Sequence, residues 1–568
     1  MRFPLRATAT VLVSSAGILA AQQEQRVLVA DDKDELRRSP LDDELAAFVE
    51  DALDRWRVPG LAVGVVDDKA PGYGISTFPS TPVTPSTLFY TGSTTKAFTA
   101  AVVSLLIASG NHTSDTTRSP LSWQTPISHL LREDFVLAPD LEWANAHLTL
   151  EDALSHRTGF PRHDKALARR YGPDHHPGTV RDVVRSLRHL PAATEPRVAW
   201  RYCNLMFMVV SHAIQTLTGG VAWNYDARAH LGAAGDEGYV FERGGGDRGG
   251  EGGGWRGFVE VPKASLDLAS GAGGIVSNVL DYSRWIRCLI RGDRDGNDGG
   301  GEGENGCPVL PRAAHRELKT ARIVLPLESQ KGYDAPLAYA LGWELGTYKG
   351  HSVFTHSGGM EAYGAEVYFF PDLEYGVVTL GNTAVTSNYA GNEVVWKLID
   401  DKLGIPEEER YDWSASGEKT VDRQLKLRET AIEDLYPERA DSPLPRALPL
   451  EKYIGVYSHP AYQNITLKLV DESDTTIVHD HRNENKDARK GELKATRDDM
   501  EWQMTFEFRH VSGEFWAVVI DFLNTPNMLN GQLARAEFEI GVKGTVDKLK
   551  VEFLEDGSEG IIVFDRIA

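Results

Sequence analysis

Apolar and polar positions alternate along the chain with three different rhythms. Arg57 to Val66 (RVPGLAVGVV) is Val-rich and almost unbroken, the pattern of a strand buried on both faces. From Ser93 to Gly110 the chain is apolar almost all round, at Ala97, Phe98, Ala100, Val102, Val103, Leu105, Leu106 and Ile107. That predicts a buried helix, with Ser109-Gly110 as its stop. Leu205 to Ile214 predicts a second apolar helix, Ala365 to Phe370 a strand, and Val421 to Leu435 a further helix. Beyond about residue 450 the period falls to two. Ala536, Phe538 and Ile540 alternate with Glu537 and Glu539; Leu549, Val551 and Phe553 alternate with Lys548, Lys550 and Glu552. Such alternation, with turn residues like Asp556-Gly557 between runs, predicts an antiparallel sheet or small barrel.

These rhythms divide the chain. Residues 41–405 mix strands and helices as one α+β or α/β domain, 406–449 read as a Pro- and charge-rich linker with a helix, and 450–568 as a separate all-β domain. Two Gly-rich charged stretches, Arg243 to Gly257 and Gly292 to Asn305, read as surface insertions, since neither can bury enough apolar area to order itself. At the N-terminus, Arg2 and Arg6 precede an apolar stretch from Ala7 to Ala21, and Gln22, Gln23 and Glu24 follow. This is the layout of a secretory leader over residues 1–21, and predicts a secreted, extracellular protein with no membrane span. Asn111-His112-Thr113 and Asn464-Ile465-Thr466 are glycosylation acceptors in keeping with export.

Composition narrows the possibilities. A chain of 568 residues with 41% hydrophobic and 25% charged residues is globular and large enough for two or more cores. The formal net charge of -22 argues against nucleic acid as a partner. Three cysteines, Cys203, Cys288 and Cys307, make no disulfide scaffold. Cys288 and Cys307 are near enough in sequence to close one loop, which leaves Cys203 as a buried thiol. The chain has no H-E-x-x-H and no phosphate-binding G-K-[S/T] loop, so neither metal, nucleotide nor other cofactor is expected. His479-Asp480-His481 and His175-His176 read as solvated turns, and Ser352 lacks the closing Gly of a nucleophile elbow.

The candidate chemistry begins at the predicted buried helix. Ser93 stands at its N-terminus and Lys96 one turn on, on the same face. A buried ammonium is costly without a partner or a task, and a Ser hydroxyl needs a base before it can attack. Backbone N–H groups at a helix start can accept a developing oxyanion. Tyr202-Cys203-Asn204 follows a Pro-containing turn and supplies a phenol for proton transfer and an amide for orienting substrate. Phe354 to Gly359 (FTHSGG) then offers a strand edge with glycines where a substrate backbone can approach closely.

In this order the motifs resemble the active site of class C β-lactamases, penicillin-binding proteins and related esterases and D-amino-acid peptidases. Val58 to Leu61, Leu154 to Gly159, Gly271 to Ser277 and Gly376 to Asn382 resemble the family's flanking segments, so the likeness covers most of residues 41–400. It implies an antiparallel sheet flanked by helices plus an all-α subregion. Tyr453 to Tyr457 resembles the start of the lipocalin-like barrel that follows the catalytic domain in some members. It also implies a serine hydrolase of small ester, amide or peptide substrates. Ser93 would be acylated, Lys96 and Tyr202 would share the proton work, and Asn204 would orient substrate. The backbone N–H groups of Ser93 and Gly359 would form the oxyanion hole, with Ser357 and Gly358 lining the substrate edge. His156 would be structural. His356 stands where the family often has Lys, which implies uncharged substrates over penicillins and, for a histidine of ordinary pKa, a carboxylate preference that grows as pH falls from about 7.5 to about 6. An acyltransferase of secondary metabolism and a non-enzymatic binding protein of the same fold are the alternatives.

Overall fold

A computed structural model describes residues 9–14, 40–67, 83–112, 119–172, 174–220, 238–243, 255–261, 266–292, 309–327, 332–470, 492–523, 529, 531–555 and 557–568. Residues 244–254 and 293–305 of the two Gly-rich insertions, Cys307 and His479 to His481 lie outside them. Two compact units result. The first comprises residues 1–108, 225–239 and 273–417, the second 109–224, 240–272 and 418–568.

The first unit is built on an eight-stranded antiparallel sheet. Its order is Ala9–Ser14, Gly60–Asp67, Tyr375–Gly381, Tyr363–Phe370, His351–Met360, Glu344–Tyr348, Ala338–Tyr339 and Ile323–Val324. The apolar run at 57–66 is the second of these strands, and the next two across the sheet, Tyr375–Gly381 and Tyr363–Phe370, are buried at every residue. Helices Asp43–Trp56, Val279–Arg291 and Thr386–Leu403 cover the sheet, as the burial of both its faces requires. Ala9–Ser14, which lies inside the expected leader, is an edge strand paired from Ala9↔Val65 to Ser14↔Gly60.

The helix expected after Ser93 runs Thr95–Ser109 and stops where Ser109-Gly110 predicts. Among the described residues Gly92–Ser109 is the one helix long and apolar enough to cross a membrane. Lys96, Ala97, Ala100 and Val103 are buried within the fold, which is the reading of a core helix.

The second unit joins short helices to a closed barrel. Leu150–Leu154 and Val180–Ser186 each start with a capping box, Thr149 with Asp152 and Thr179 with Asp182, and pack against Asn204–Leu217. The barrel has eight antiparallel strands, Gly455–His459, Gln463–Leu469, Leu493–Arg497, Met504–Ser512, Phe515–Phe522, Gln532–Ile540, Val546–Phe553 and Ile561–Arg566, and closes last to first at Tyr457↔Arg566. The alternation at 536–540 and 549–553 is its buried face: Ala536 lies opposite Val551 and Phe538 opposite Leu549. Tyr453, Tyr457 and Trp516 pack around Phe538 inside it.

The stretch expected as a linker is more structured than its composition suggests. Its helix runs Trp413–Leu435, and Arg428, buried, is ion-paired with Glu507 and Asp521 on the barrel. Leu435 packs on Val511 and Ala517. The barrel also joins the 160s segment. Lys165 Nζ lies 2.8 Å from Glu555 and 3.2 Å from Glu559, and His163 Nδ1 lies 2.7 Å from the Tyr462 hydroxyl. Cys203 is free and buried, and Cys288 is disulfide-bonded.

Candidate active site

Ser93 sits in a one-turn 3-10 segment, Gly92–Thr94, that runs straight into the buried helix. Ile275 clamps this turn: Thr91 N–H donates to its carbonyl at 3.0 Å, and its own N–H donates to Thr95 Oγ1 at 3.0 Å. Ile275 therefore anchors the chain on both sides of Ser93. Lys96 is fully buried and its Nζ donates to Ser93 Oγ at 3.0 Å. The ammonium that was costly by position thus has its partner on the hydroxyl.

The strand His351–Met360 completes this half of the site. Its ladder to Glu344–Tyr348 ends at Glu344↔Thr355, so the edge from His356 onward is released from that neighbour. Released, it packs on the Ser93 turn. A Cβ on Gly358 would stand 2.0 Å from the Thr91 carbonyl oxygen and 3.2 Å from Ser93 N. Gly92, at φ +53°, fits only because it has no Cβ, which would stand 2.8 Å from Gly359 N. Gly358 and Gly92 are thus steric requirements, whereas a Cβ on Gly359 would meet nothing within 4 Å, and the close packing sets the Gly358-Gly359 backbone against the Ser93 turn. Ser357 and Gly359 face outward, while His356 and Gly358 face in.

His356 departs from the expectation of an ordinary histidine. Its Nδ1 lies 2.6 Å from the Ser357 carbonyl, which can only accept, so Nδ1 carries the proton. Nε2 therefore accepts from the Tyr339 hydroxyl at 2.9 Å. Burial, and next the Lys96 charge, lower its pKa to about 3 against the opposing pull of the Ser357 carbonyl. The ring is neutral across the physiological range, and the expected change in charge between about pH 7.5 and about pH 6 has no group to carry it.

In the second unit, Tyr202-Cys203-Asn204 leads into the helix Asn204–Leu217. His156, at φ +57°, accepts the Cys203 N–H on Nδ1 at 3.0 Å, and its ring lies 4.2 Å from that of Tyr202. This is the structural role its turn implies. Asn204 Nδ2 donates to Asp164 Oδ2 at 2.9 Å, and Arg162 pairs with the same carboxylate at 3.1 Å. The Arg162 guanidinium stands 4.6 Å over the Tyr202 ring. Burial raises the Asp164 pKa to about 6, although the Arg162 charge opposes it.

Residues 45–398 match the family described as Beta-lactamase, and residues 439–561 match a domain of unknown function, DUF3471. The chain belongs to the Beta-lactamase family. It is 37% identical over 529 residues to an unguisins hydrolase of Aspergillus campestris (strain IBT 28561), covering 89% of this chain and 88% of that one. A second unguisins hydrolase, from Aspergillus violaceofuscus (strain CBS 115571), is 36% identical over 523 residues, 87% and 86% of the two chains. Among solved structures, the octameric penicillin-binding protein homologue from Pyrococcus abyssi is similar at 17% identity over 92% of this chain and 99% of that chain, with a TM-score of 0.48.

As a Beta-lactamase-family serine hydrolase, the chain carries Ser93, Lys96, His356, Ser357, Gly358 and Gly359 in its first unit, and Tyr202 and Asn204 in its second. Sequence reasoning did not single out Tyr339, Arg162 or Asp164. Each is a lone residue outside the three motifs, and only its contact gives it meaning. The expected acceptors Asn111 and Asn464 are both exposed.

Proposed function

We propose that the protein hydrolyses an uncharged ester or amide bond through an acyl-enzyme on Ser93. The 3.0 Å contact between Lys96 Nζ and Ser93 Oγ, beside the Gly358-Gly359 backbone packed on the same turn, carries this reading. Ser93 Oγ forms the bond to the carbonyl carbon and gives up its proton to ionised Tyr202, the base the family pattern assigns, while the Lys96 ammonium keeps its hydrogen bond to Oγ and shares in the later proton transfer. The carbonyl oxygen becomes an oxyanion held by the two N–H groups. Collapse of this intermediate expels the alcohol or amine, which takes the proton. Water then repeats the sequence on the acyl-Ser93 ester and releases the acid. Asn204 orients the substrate.

A neutral His356 in place of a lysine offers no steady attraction for a carboxylate, which favours uncharged esters and amides over penicillins. The relatives named as unguisins hydrolases make unguisins the first compounds to try, and favour water over an alcohol as the acyl acceptor. Export belongs to the same proposal and rests on the Arg2-to-Glu24 layout and on the exposure of Asn111 and Asn464. N-terminal sequencing of the protein from culture medium tests it, because a retained Ala9–Ser14 strand would show that no leader is removed there.

The deciding experiment is intact mass spectrometry after exposure to a fluorophosphonate and to a panel of unguisins, esters, aminoacyl amides and β-lactams. Wild type should gain one adduct, mapped to Ser93, and folded Ser93→Ala none, with turnover falling to background. Near-wild-type turnover in Ser93→Ala would overturn the proposal.

A further inference from the structure

Behind the outward edge of the strand His351–Met360, one side chain grips the peptide group that would face the substrate. Asn388, in the first turn of the helix Thr386–Leu403, donates from Nδ2 to the Gly358 carbonyl at 3.0 Å. The same nitrogen contacts Glu366 Oε1 at 2.8 Å and the Ala365 carbonyl at 3.2 Å, so its two hydrogens are spread over three acceptors. Gly358 and Ala365 are partners in the ladder between His351–Met360 and Tyr363–Phe370, and Gly359 partners Gly364. Gly364 makes the grip possible: a Cβ there would stand 2.6 Å from Asn388 Oδ1 and 2.9 Å from Asn388 N.

The Gly358 carbonyl and the Gly359 N–H belong to one peptide group. In a trans peptide they point in opposite directions. Holding the carbonyl from behind aims the N–H forward, where Gly92 and the Ser93 turn lie against it. A hydrogen bond to a peptide carbonyl also polarises the group and makes its N–H a better donor. Two features show that this arrangement is enforced. Val385, just before the helix, is β-branched and yet stands at φ +64°, a strained backbone that persists only where its surroundings over-determine it. Glu366 is buried among apolar strand residues, where its acceptor oxygen has Asn388 as a partner.

We propose that Asn388 is a positioning residue that aims and strengthens the Gly359 N–H as the oxyanion-hole donor, with the carboxyl of Glu366 holding the Asn388 amide in register. The proposal rests on the acyl-enzyme reading with Ser93 as nucleophile. The role is felt only when negative charge develops on the substrate oxygen, so its loss slows the chemical step and leaves ground-state binding alone.

The experiment compares wild type, Asn388→Asp, Asn388→Ala and the control Asn392→Ala, one turn along the same helix. The site of the fluorophosphonate adduct is first mapped in each protein and its active fraction titrated. An adduct away from Ser93 would sink the functional reading itself. With the adduct on Ser93, both Asn388 variants should lose about tenfold to hundredfold in kcat per active site, with KM within about threefold, less than the roughly 10²–10³ that deleting an oxyanion donor costs, because the donor is misaimed and not removed. Affinity for an alkyl boronic acid, which forms a tetrahedral adduct on the serine, should fall by the same factor. Asn392→Ala removes a hydrogen bond to Tyr368 and should lower Tm without this split. Should an Asn388 variant fail to fold, the other carries the test, since Asn388→Asp keeps the size but replaces the donor with an ionisable acceptor, whereas Asn388→Ala removes the donor without adding charge. Folded Asn388 variants with lowered Tm but unchanged kcat and boronate affinity would overturn the proposal.

Discussion

At the scale of single residues, His356 decides what the site can sense. Its proton stays on Nδ1 toward the Ser357 carbonyl, and its other nitrogen is taken by Tyr339. With the pKa lowered by burial and by Lys96 to about 3, the imidazole is neutral at every pH at which the fold is expected to work. The ratio of kcat/KM for a carboxylate-bearing ester to that for its neutral analogue should therefore be flat from about pH 6 to about pH 7.5. A rise of several-fold on acidification would show that the imidazole protonates in that window after all. Ser93 and Lys96 were legible in the sequence only together with Tyr202-Cys203-Asn204 and Phe354 to Gly359 in the family's order, because a lysine one turn from a serine is by itself a common chance arrangement. The identity of position 356 was legible too. Its protonation state was not, because that depends on Tyr339, which reaches it only through the pairing of distant strands, and on the depth of burial.

At the scale of elements, the strand Tyr363–Phe370 holds a titratable load that its apolar neighbours make expensive. Burial raises Glu366 to about 8, against the hydrogen bond from Asn388 and with a further push from Glu344; burial alone raises Glu344, on Glu344–Tyr348, to about 7. Both carboxyls stay protonated in the fold at pH values where the unfolded chain has already released its protons. The native state then binds more protons than the unfolded one, so stability is full below about pH 4.5 for these groups and is lost as pH rises through about 7 to about 8. Glu366→Gln should flatten that loss: Tm should fall less between pH 5.5 and pH 8.5, on the order of those limits, in the variant than in wild type. An identical slope in the two proteins would mean that Glu366 is ionised in the fold. The strands and helices themselves were largely readable. The helix expected over Leu205 to Ile214 runs Asn204–Leu217, and the apolar run at 57–66 becomes Gly60–Asp67. The helix expected from Val421 begins at Trp413, because Trp413 stacks on Trp396 at 4.8 Å, a tertiary contact that no local period encodes. Two-residue strands such as Ala338–Tyr339 and Ile323–Val324 carry no period at all.

At the scale of the whole molecule, the period-two segment is readable as an all-β domain, but what it rests on is not. The natural place to cut the chain, near Pro445, looks harmless in sequence because prolines and charges cluster there. Within the second unit the barrel instead supplies the counter-charges of buried groups on the segment that precedes Tyr202. Lys165 is 3% exposed and its two partners, Glu555 and Glu559, both come from the barrel. Their charges hold its ammonium well above the usual lysine range despite the burial that opposes it. His163, buried and lowered to about 4, relies on the Tyr462 hydroxyl. The Arg162 guanidinium that lies over the Tyr202 ring has Glu555 at 3.4 Å. Backbone pairing continues the contact, from Arg169 N–H to the Asp499 carbonyl and from Glu501 N–H to the Leu167 carbonyl. Removing one side of a buried ion pair typically costs about 3–5 kcal/mol, a large part of the stability of most domains. A chain ending near Pro445 should therefore be recovered insoluble or with Tm lowered by many degrees, and should not acylate Ser93. Since truncation removes much else, the full-length Lys165→Met chain isolates the ionic contribution: it deletes the buried cation, leaves Glu555 and Glu559 to repel, and should lower Tm while Lys165→Met/Glu559→Gln partly restores it. A soluble truncated chain that labels at Ser93 and turns over a small ester at the wild-type rate would show that the barrel is dispensable to the catalytic part.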